Sequence, residues 1–349
     1  MKIAIINNNW GELRPKRAVG IAAVVRDVAM GLHAQRHDVT VFSSHGSTLS
    51  GVPLVEVGTS LKALGLHVLH PDSAAAQKAY IQEVIPHLVG FDVIHSHVEH
   101  VLLPFVKDIT PPVVSTIHGA GFTPREQKIF ETYPDNMFIA LSEGAKRALP
   151  YIHFSAVVYN GIDVGKAVFH PAPQLPGYFA WMGRFSENKG VLDAISAVKQ
   201  AGEILSLVGF EEKGQEAYFE KVKAASDGAQ IRLVDRMIGD QKYSLLGNAK
   251  AFLFPIHWEE PFGLIMVEAM ACGTPVIAYN RGSVPEIVKD GVTGFIVEPE
   301  RGIEGLVEAI HRIGEIDRAA CRRHVEEHFT LAKMITGYED IYKKTIALQ

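Results

Sequence analysis

The chain has 349 residues, 47% of them hydrophobic and 21% charged, with a formal net charge of −5. That length exceeds one typical core, so two domains are expected in a globular enzyme of ordinary composition. With 13 basic and 14 acidic residues up to position 165, and 21 and 25 beyond it, neither half carries a broad positive field for nucleic acid or an anionic membrane.

Lys2 to Ile6 is an apolar run read as a buried parallel strand, and the loop Asn7 to Gly20 leads to a helix from about Ile21 to Gln35. Strands follow at Asp38 to Phe42 and Val52 to Val57. Strands alternating with helices argue for a doubly wound parallel sheet, whose ligands lie beyond the carboxyl ends of its strands. The loop after the first strand is then a candidate ligand loop carrying Arg14, Lys16, Arg17 and Gly20, or an ordinary turn with a solvated basic cluster.

Residues 77–90 read as a helix, Phe91 to His97 as a strand and its exit, and Val113 to Gly119 as another ending in His118-Gly119. Met137 to Ser142 reads as the last strand of the first domain, followed by a helix from Glu143. His95 and His97 share one face of their strand, which suggests a metal site. Apart from Glu99, no acid or thiol stands at a ligand spacing, and a hydrogen-bonded core His95 is the competing reading. Asn160-Gly161 is a turn signal. A proline-rich hinge runs through His170-Pro171-Ala172-Pro173 to Pro176, so the domains are set at 1–165 and 166–330.

The second domain opens with a strand at Tyr178 to Met182. The loop Gly183 to Gly190 carries Arg184 and Lys189 into a helix from Val191 to Gln200, where positive charge and helix N–H groups can clamp a diphosphate or simply be solvated. Strands at Leu205 to Gly209 and Ile231 to Val234, a helix at 241–249 and a buried strand at Ala251 to Pro255 lead to the most informative stretch, Trp258 to Pro275. Pro261 suits a first helical turn, and Gly263 lets a ligand come close. Leu264 to Ala271 is an apolar helix closed by Gly273 and Pro275.

One carboxylate, Glu268, interrupts that helix. It must find donors, either ligand hydroxyls or a neighbouring Arg or Lys. Glu260 stands eight residues earlier, and the N–H groups near Phe262, Gly263 and Leu264 lie between the two acids and attract phosphate. A polyhydroxylated, phosphate-bearing ligand satisfies the arrangement; an N-cap acid plus a salt-bridged glutamate is the plainer alternative. Beyond it lie a strand at Val276 to Tyr279, helices over 301–328, and an amphipathic helix from Leu331 to Ile346.

Two cysteines, Cys272 and Cys321, make no disulfide framework and fit a reducing compartment. The N-terminus turns polar at Asn7, too soon for a signal peptide, and no apolar run reaches membrane-spanning length. A cytoplasmic protein is expected.

The Glu260-to-Glu268 stretch, followed by Ala269-Met270-Ala271-Cys272-Gly273-Thr274-Pro275-Val276-Ile277-Ala278, resembles the nucleotide-sugar signature of the retaining glycosyltransferases of family four. Gly183-Arg184 through Lys189-Gly190, Thr116-Ile117-His118-Gly119, Asn160-Gly161-Ile162-Asp163 and residues 281–297 are similar to the same family. The likeness covers essentially the whole chain. It is strongest from Gly183 to Val297 and weakest over 8–25, where Ala18-Val19-Gly20-Ile21-Ala22-Ala23 lacks one glycine and the acid of the family's loop.

The resemblance implies the GT-B fold, two Rossmann-like doubly wound domains facing across a cleft. The first is the acceptor side, the second binds the nucleotide-sugar donor, and a C-terminal helix over 331–349 crosses back onto the first. It implies metal-independent, retaining transfer of a hexose to an acceptor hydroxyl, from a UDP-sugar in preference to a GDP-sugar and with no resident cofactor. His118, Glu260, Arg184 and Lys189 take catalytic roles. Gly20, His97, Met237, Ile238, Phe262, Gly263, Leu264 and Glu268 join Arg184, Lys189 and Glu260 in holding the donor. The absence of any Asp-x-Asp triplet agrees with a diphosphate neutralised by side chains rather than metal. Nucleic acid and a strong membrane-binding face are not expected as partners. Two rivals stand beside this reading: a nucleotide-sugar epimerase on the same scaffold, and a non-catalytic nucleotide-sugar binding protein suggested by the altered 18–23 loop.

Overall fold

Short runs of Ile, Val, Phe and Ala, too apolar to have a solvent face, become strands buried on both sides. The computed structural model describes residues 1–14, 20–68, 70–235, 237 and 239–348. It divides into two units, Met1–Asn160 with Leu331–Gln349, and Gly161–Thr330.

Unit 1 holds a seven-stranded sheet, order β3-β2-β1-β4-β5-β6-β7. Its strands are β1 Lys2–Ile6, β2 Asp38–Ser43, β3 Leu54–Glu56, β4 Val93–Ser96, β5 Val113–Thr116, β6 Met137–Ala140 and β7 Phe154–Val157. All pair in parallel. The helices are α1 Ile21–Ala34, α2 Ser73–Val84, α3 Pro124–Thr132 and α4 Glu143–Ala148.

Unit 2 holds a six-stranded parallel sheet, order β10-β9-β8-β11-β12-β13. Its strands are β8 Phe179–Phe185, β9 Leu205–Glu211, β10 Ile231–Val234, β11 Phe252–Phe254, β12 Val276–Tyr279 and β13 Gly294–Val297. Its helices are α5 Val191–Gln200, α6 Glu216–Ala225, α7 Asp240–Asn248, α8 Leu264–Ala271, α9 Val284–Ile287, α10 Gly302–Arg312 and α11 Arg318–His328.

The last helix, α12 Leu331–Ala347, belongs to unit 1. It buries Met334, Tyr338, Ile341, Tyr342 and Thr345, the i, i+4, i+7, i+8, i+11 stripe of one face. Each large side chain so buried contributes about 1.5–3 kcal/mol. Gly31 lets α1 and α12 meet, since a Cβ there would lie 2.5 Å from Cγ1 of Ile335.

Three sequence expectations change. Met137 does not begin the last strand of unit 1: β7 adds one more, an edge strand too exposed to carry an apolar signature. The helix expected over 77–90 starts at Ser73 and gives way to a 3₁₀ turn at Ile85–His87, because Pro86 removes an N–H. β8 extends to Phe185, so Arg184 stands on the strand rather than in the loop after it.

In both sheets the strand order reverses beside the first strand, between β1 and β4 and between β8 and β11. Open parallel sheets bind ligands at the carboxyl ends flanking such a point.

Candidate functional site

In unit 2 the loops after β8 and β11 flank the reversal, and they touch backbone to backbone. Gly190 has φ +64°, and a Cβ there would lie 1.7 Å from the Pro255 carbonyl oxygen, so only glycine fits. His257 N–H donates to the Asn188 carbonyl at 2.9 Å. This contact brings Lys189 onto Glu260, Nζ to Oε2 at 2.5 Å, with 14% of each side chain exposed. Trp258 Nε1 donates to the same oxygen at 3.1 Å, and the ammonium lies 4.5 Å from the Trp258 ring centroid. Glu260 is thus held by a cation and an indole N–H, and its main-chain carbonyl accepts from Ser283 N–H at 3.0 Å.

Arg184 pairs with Glu212, just past β9. Glu268 pairs with Lys242 of α7, Nζ to Oε1 at 2.5 Å, while its Oε2 has no partner among the described residues. α8 buries Met266, Val267, Ala269, Met270 and Ala271. Leu264, Ile265 and Glu268, three and four positions apart, form its half-buried stripe. No side chain caps the start of α8, where Gly263 has φ +78°. Phe262 is buried, and its carbonyl accepts from the Ser283 hydroxyl at 2.7 Å.

Met237 is half-buried in the loop after β10, whereas Ile238 lies outside the described residues, as do Lys16, Arg17, Ala18 and Val19. Gly20, exposed at φ +56°, is the N-cap of α1.

In unit 1 the carboxyl ends of β4 and β5 gather a histidine cluster. His95 is fully buried, Nε2 lying 2.7 Å from Thr116 Oγ1 and Nδ1 2.7 Å from Tyr342 Oη. Both ring nitrogens are occupied, which makes His95 a core histidine and not a metal ligand. His97 Nδ1 meets His118 Nε2 at 2.8 Å. Glu99, 7% exposed, accepts with Oε1 from the N–H groups of His118 and Gly119 at 3.0 and 3.1 Å. Its φ is +55°, a conformation that costs a non-glycine residue about 1–3 kcal/mol and gathers at functional sites.

Burial holds the His95 and His118 pKa values down to about 3 and that of His97 well below its ordinary value. Burial also raises Glu99 to about 8, against the lowering pull of its two N–H donors. Acid should therefore destabilise unit 1. The unfolded chain protonates these histidines near pH 6.5, so their contribution is complete above that pH and is lost as pH falls toward 3, at about 1.4 kcal/mol per pH unit for each group. Glu99 acts in the opposite sense between about pH 4.5 and 8, one group against three. Denaturant midpoints measured from pH 7 down to 4.5 check the sign.

Three residues of these clusters had no role in the sequence reading, Lys242, Glu212 and Trp258, and Glu99 entered it only as an acid at a metal-ligand spacing. Lys242 and Glu212 look like any solvated charge in the sequence. The aromatic Trp258 beside two glutamates was the one available signal.

Residues 168–327 match the family Glycosyl transferases group 1, and residues 19–166 match Glycosyltransferase Family 4. The chain belongs to these glycosyltransferases. A glycogen synthase of Mycobacterium tuberculosis is 29% identical, the match covering 66% of this chain and 62% of that protein. The chain thus spans about three fifths of the length of the first curated relatives. A putative glycosyltransferase of Bacillus subtilis, YtcC, is 24% identical across 99% of this chain and 93% of its own.

Among solved structures, sucrose-phosphate synthase from Thermosynechococcus elongatus aligns with a TM-score of 0.82 at 19% identity over 100% of both chains. Anabaena HepE, in complex with UDP-glucose, aligns with a TM-score of 0.77 at 18% identity over 99% of this chain and 100% of that one. The two parallel sheets with their helices are those of the GT-B fold. No helix among the described residues is long and apolar enough to cross a membrane.

Proposed function

We propose that the protein is a retaining hexosyltransferase using a nucleotide-diphosphate sugar, a UDP-sugar in preference to a GDP-sugar, and needing no divalent cation. The observation that carries this is the Lys189–Glu260–Trp258 cluster at the strand-order reversal of unit 2, in the same unit as Glu268 of α8 and its Lys242 partner of α7. A dense set of compensated charges at that position suits a ligand bearing both phosphate and hydroxyl groups. The UDP-glucose in the Anabaena HepE complex supports the donor class.

In this reading unit 2 binds the donor and unit 1 serves the acceptor. The acceptor oxygen attacks the face that the diphosphate leaves, and negative charge builds on the departing β-phosphate. Arg184, Lys189 and the N–H groups at Gly263 and Leu264 stabilise that charge, which is the largest catalytic effect available. Glu268 holds the ribose hydroxyls, and Glu260 the hydroxyls of the sugar. Met237 borders the base through its main chain, His118 hydrogen-bonds the sugar, and Gly20 opens the helix after the first loop.

A thermal-shift panel of nucleotide sugars tests the donor: a matched donor at 100 times its Kd raises stability by about 2.7 kcal/mol. Turnover, measured with the anomeric configuration of the product, should be unchanged in excess chelator. Loss in chelator with recovery on adding magnesium or manganese would overturn the metal-free mechanism.

A further inference from the structure

The hydrogen bonds at the ends of β4 and β5 determine which nitrogen of His118 carries its hydrogen. Thr116 donates to Tyr338 Oη at 3.2 Å, so its oxygen accepts from His95 Nε2–H, and His95 Nδ1 accepts from the Tyr342 hydroxyl. His95 is thereby neutral and fully satisfied.

His97 differs. Its Nδ1 faces His118 Nε2 at 2.8 Å, and its Nε2 is buried with no hydrogen-bond partner among the described residues. If His118 Nε2–H were the donor, a neutral His97 would carry its own hydrogen on Nε2, as a buried N–H with nothing to bond. Orphaned buried N–H groups are rarer than under-satisfied acceptors, because each gives up the hydrogen bond it makes in water. With the hydrogen on His97 Nδ1, the buried Nε2 is only a lone pair. The remaining N–H is then Nδ1–H of His118, a residue that is half-buried where His97 is fully buried. A doubly protonated His97 would bury a charge, at greater cost.

We propose that His97 is a positioning residue: its Nδ1–H holds His118 in the Nδ1–H tautomer, so that His118 offers the transferred sugar a hydrogen-bond donor rather than a base. Glu99 completes the device. By accepting from the His118 and Gly119 N–H groups it fixes the main chain that carries the ring. The action on the sugar rests on the function proposed above; the tautomer does not.

Long-range proton–nitrogen correlation spectra of the ¹⁵N-labelled full chain at pH 7 read the tautomer, with the His118 signals assigned by their loss in His118→Ala. The wild type should show His118 protonated on Nδ1. His97→Ala should return it to Nε2, the form imidazole prefers in water. His97→Asn, whose amide N–H₂ takes the place of Nδ1–H, should keep the wild-type pattern. In transfer assays His97→Ala should lower kcat by about 10–100-fold, the range for losing one oriented hydrogen bond, with a much smaller change in donor KM, and His97→Asn should recover most of it. A wild-type His118 protonated on Nε2 overturns the proposal, and that spectrum decides even if His97→Ala fails to fold. An unchanged tautomer or unchanged kcat in His97→Ala overturns it as well. A wild type that transfers no sugar from any nucleotide donor refutes the proposed function instead, while the spectrum still decides the tautomer.

Discussion

Glu268→Ala is expected to lose the nucleotide-sugar donor while remaining folded. A carboxylate receiving two ribose hydroxyls makes two charge-assisted hydrogen bonds of about 1.5–3 kcal/mol each, so affinity should drop roughly 10²–10⁴-fold. The cost in folding is limited in two ways. Lys242, its partner, keeps 20% of its side chain exposed and can rehydrate in part, so leaving it without the carboxylate costs on the order of 1–3 kcal/mol. Alanine also favours a helix interior at least as well as glutamate. Calorimetric titration with donor, beside a denaturant midpoint, separates the two effects. Lys242→Ala is the control: it leaves the carboxylate in place, so its loss of affinity should be the smaller. Wild-type donor affinity in Glu268→Ala would remove the ribose role.

Lys189→Ala should cut kcat by about 10²–10³-fold, the effect of removing one preorganised group that stabilises developing charge. Donor KM should move much less, because the charge it meets is greater in the transition state than in the bound donor. This variant should also lose about 1–3 kcal/mol of stability, since among the described residues the Glu260 carboxylate keeps only the Trp258 N–H as a partner and is 14% exposed. The double variant Lys189→Ala/Glu260→Ala distinguishes the two consequences: stability should recover in part, because no uncompensated carboxylate remains, whereas turnover should not. Recovery of turnover in the double variant would show that Lys189 serves only to neutralise Glu260.

Much of the fold was legible because its signals are local. The helix Leu264–Ala271, bounded by Gly263 and Gly273, and the helix Val191–Gln200 are observed at those limits. Strand β7 was missed because an edge strand half open to solvent has no apolar run to mark it. Helix α3 went unread although Thr123 and Glu126 form a capping box visible in the residue order. Its weakness as a signal is that Thr-x-x-Glu is common and the helix is short.

The site divides in the same way. From residue order alone one could tell that Glu268 interrupts an apolar helix and needs donors, that Glu260 stands before its start, and that Arg184 and Lys189 lie at a strand's end. Which partner each charge takes was decided only by the tertiary structure. Lys189 reaches Glu260 across 71 positions, Lys242 reaches Glu268 across 26, and Tyr342 reaches His95 across 247. The first pairing depends on the strand order that sets β8 beside β11, and the other two on helix packing, α7 against α8 and α12 against β4, not on spacing along the chain. Hydrophobic periodicity and turn chemistry act over a few residues, so they determine the elements; strand order and helix packing bring distant segments within a few ångströms, and they select the partners.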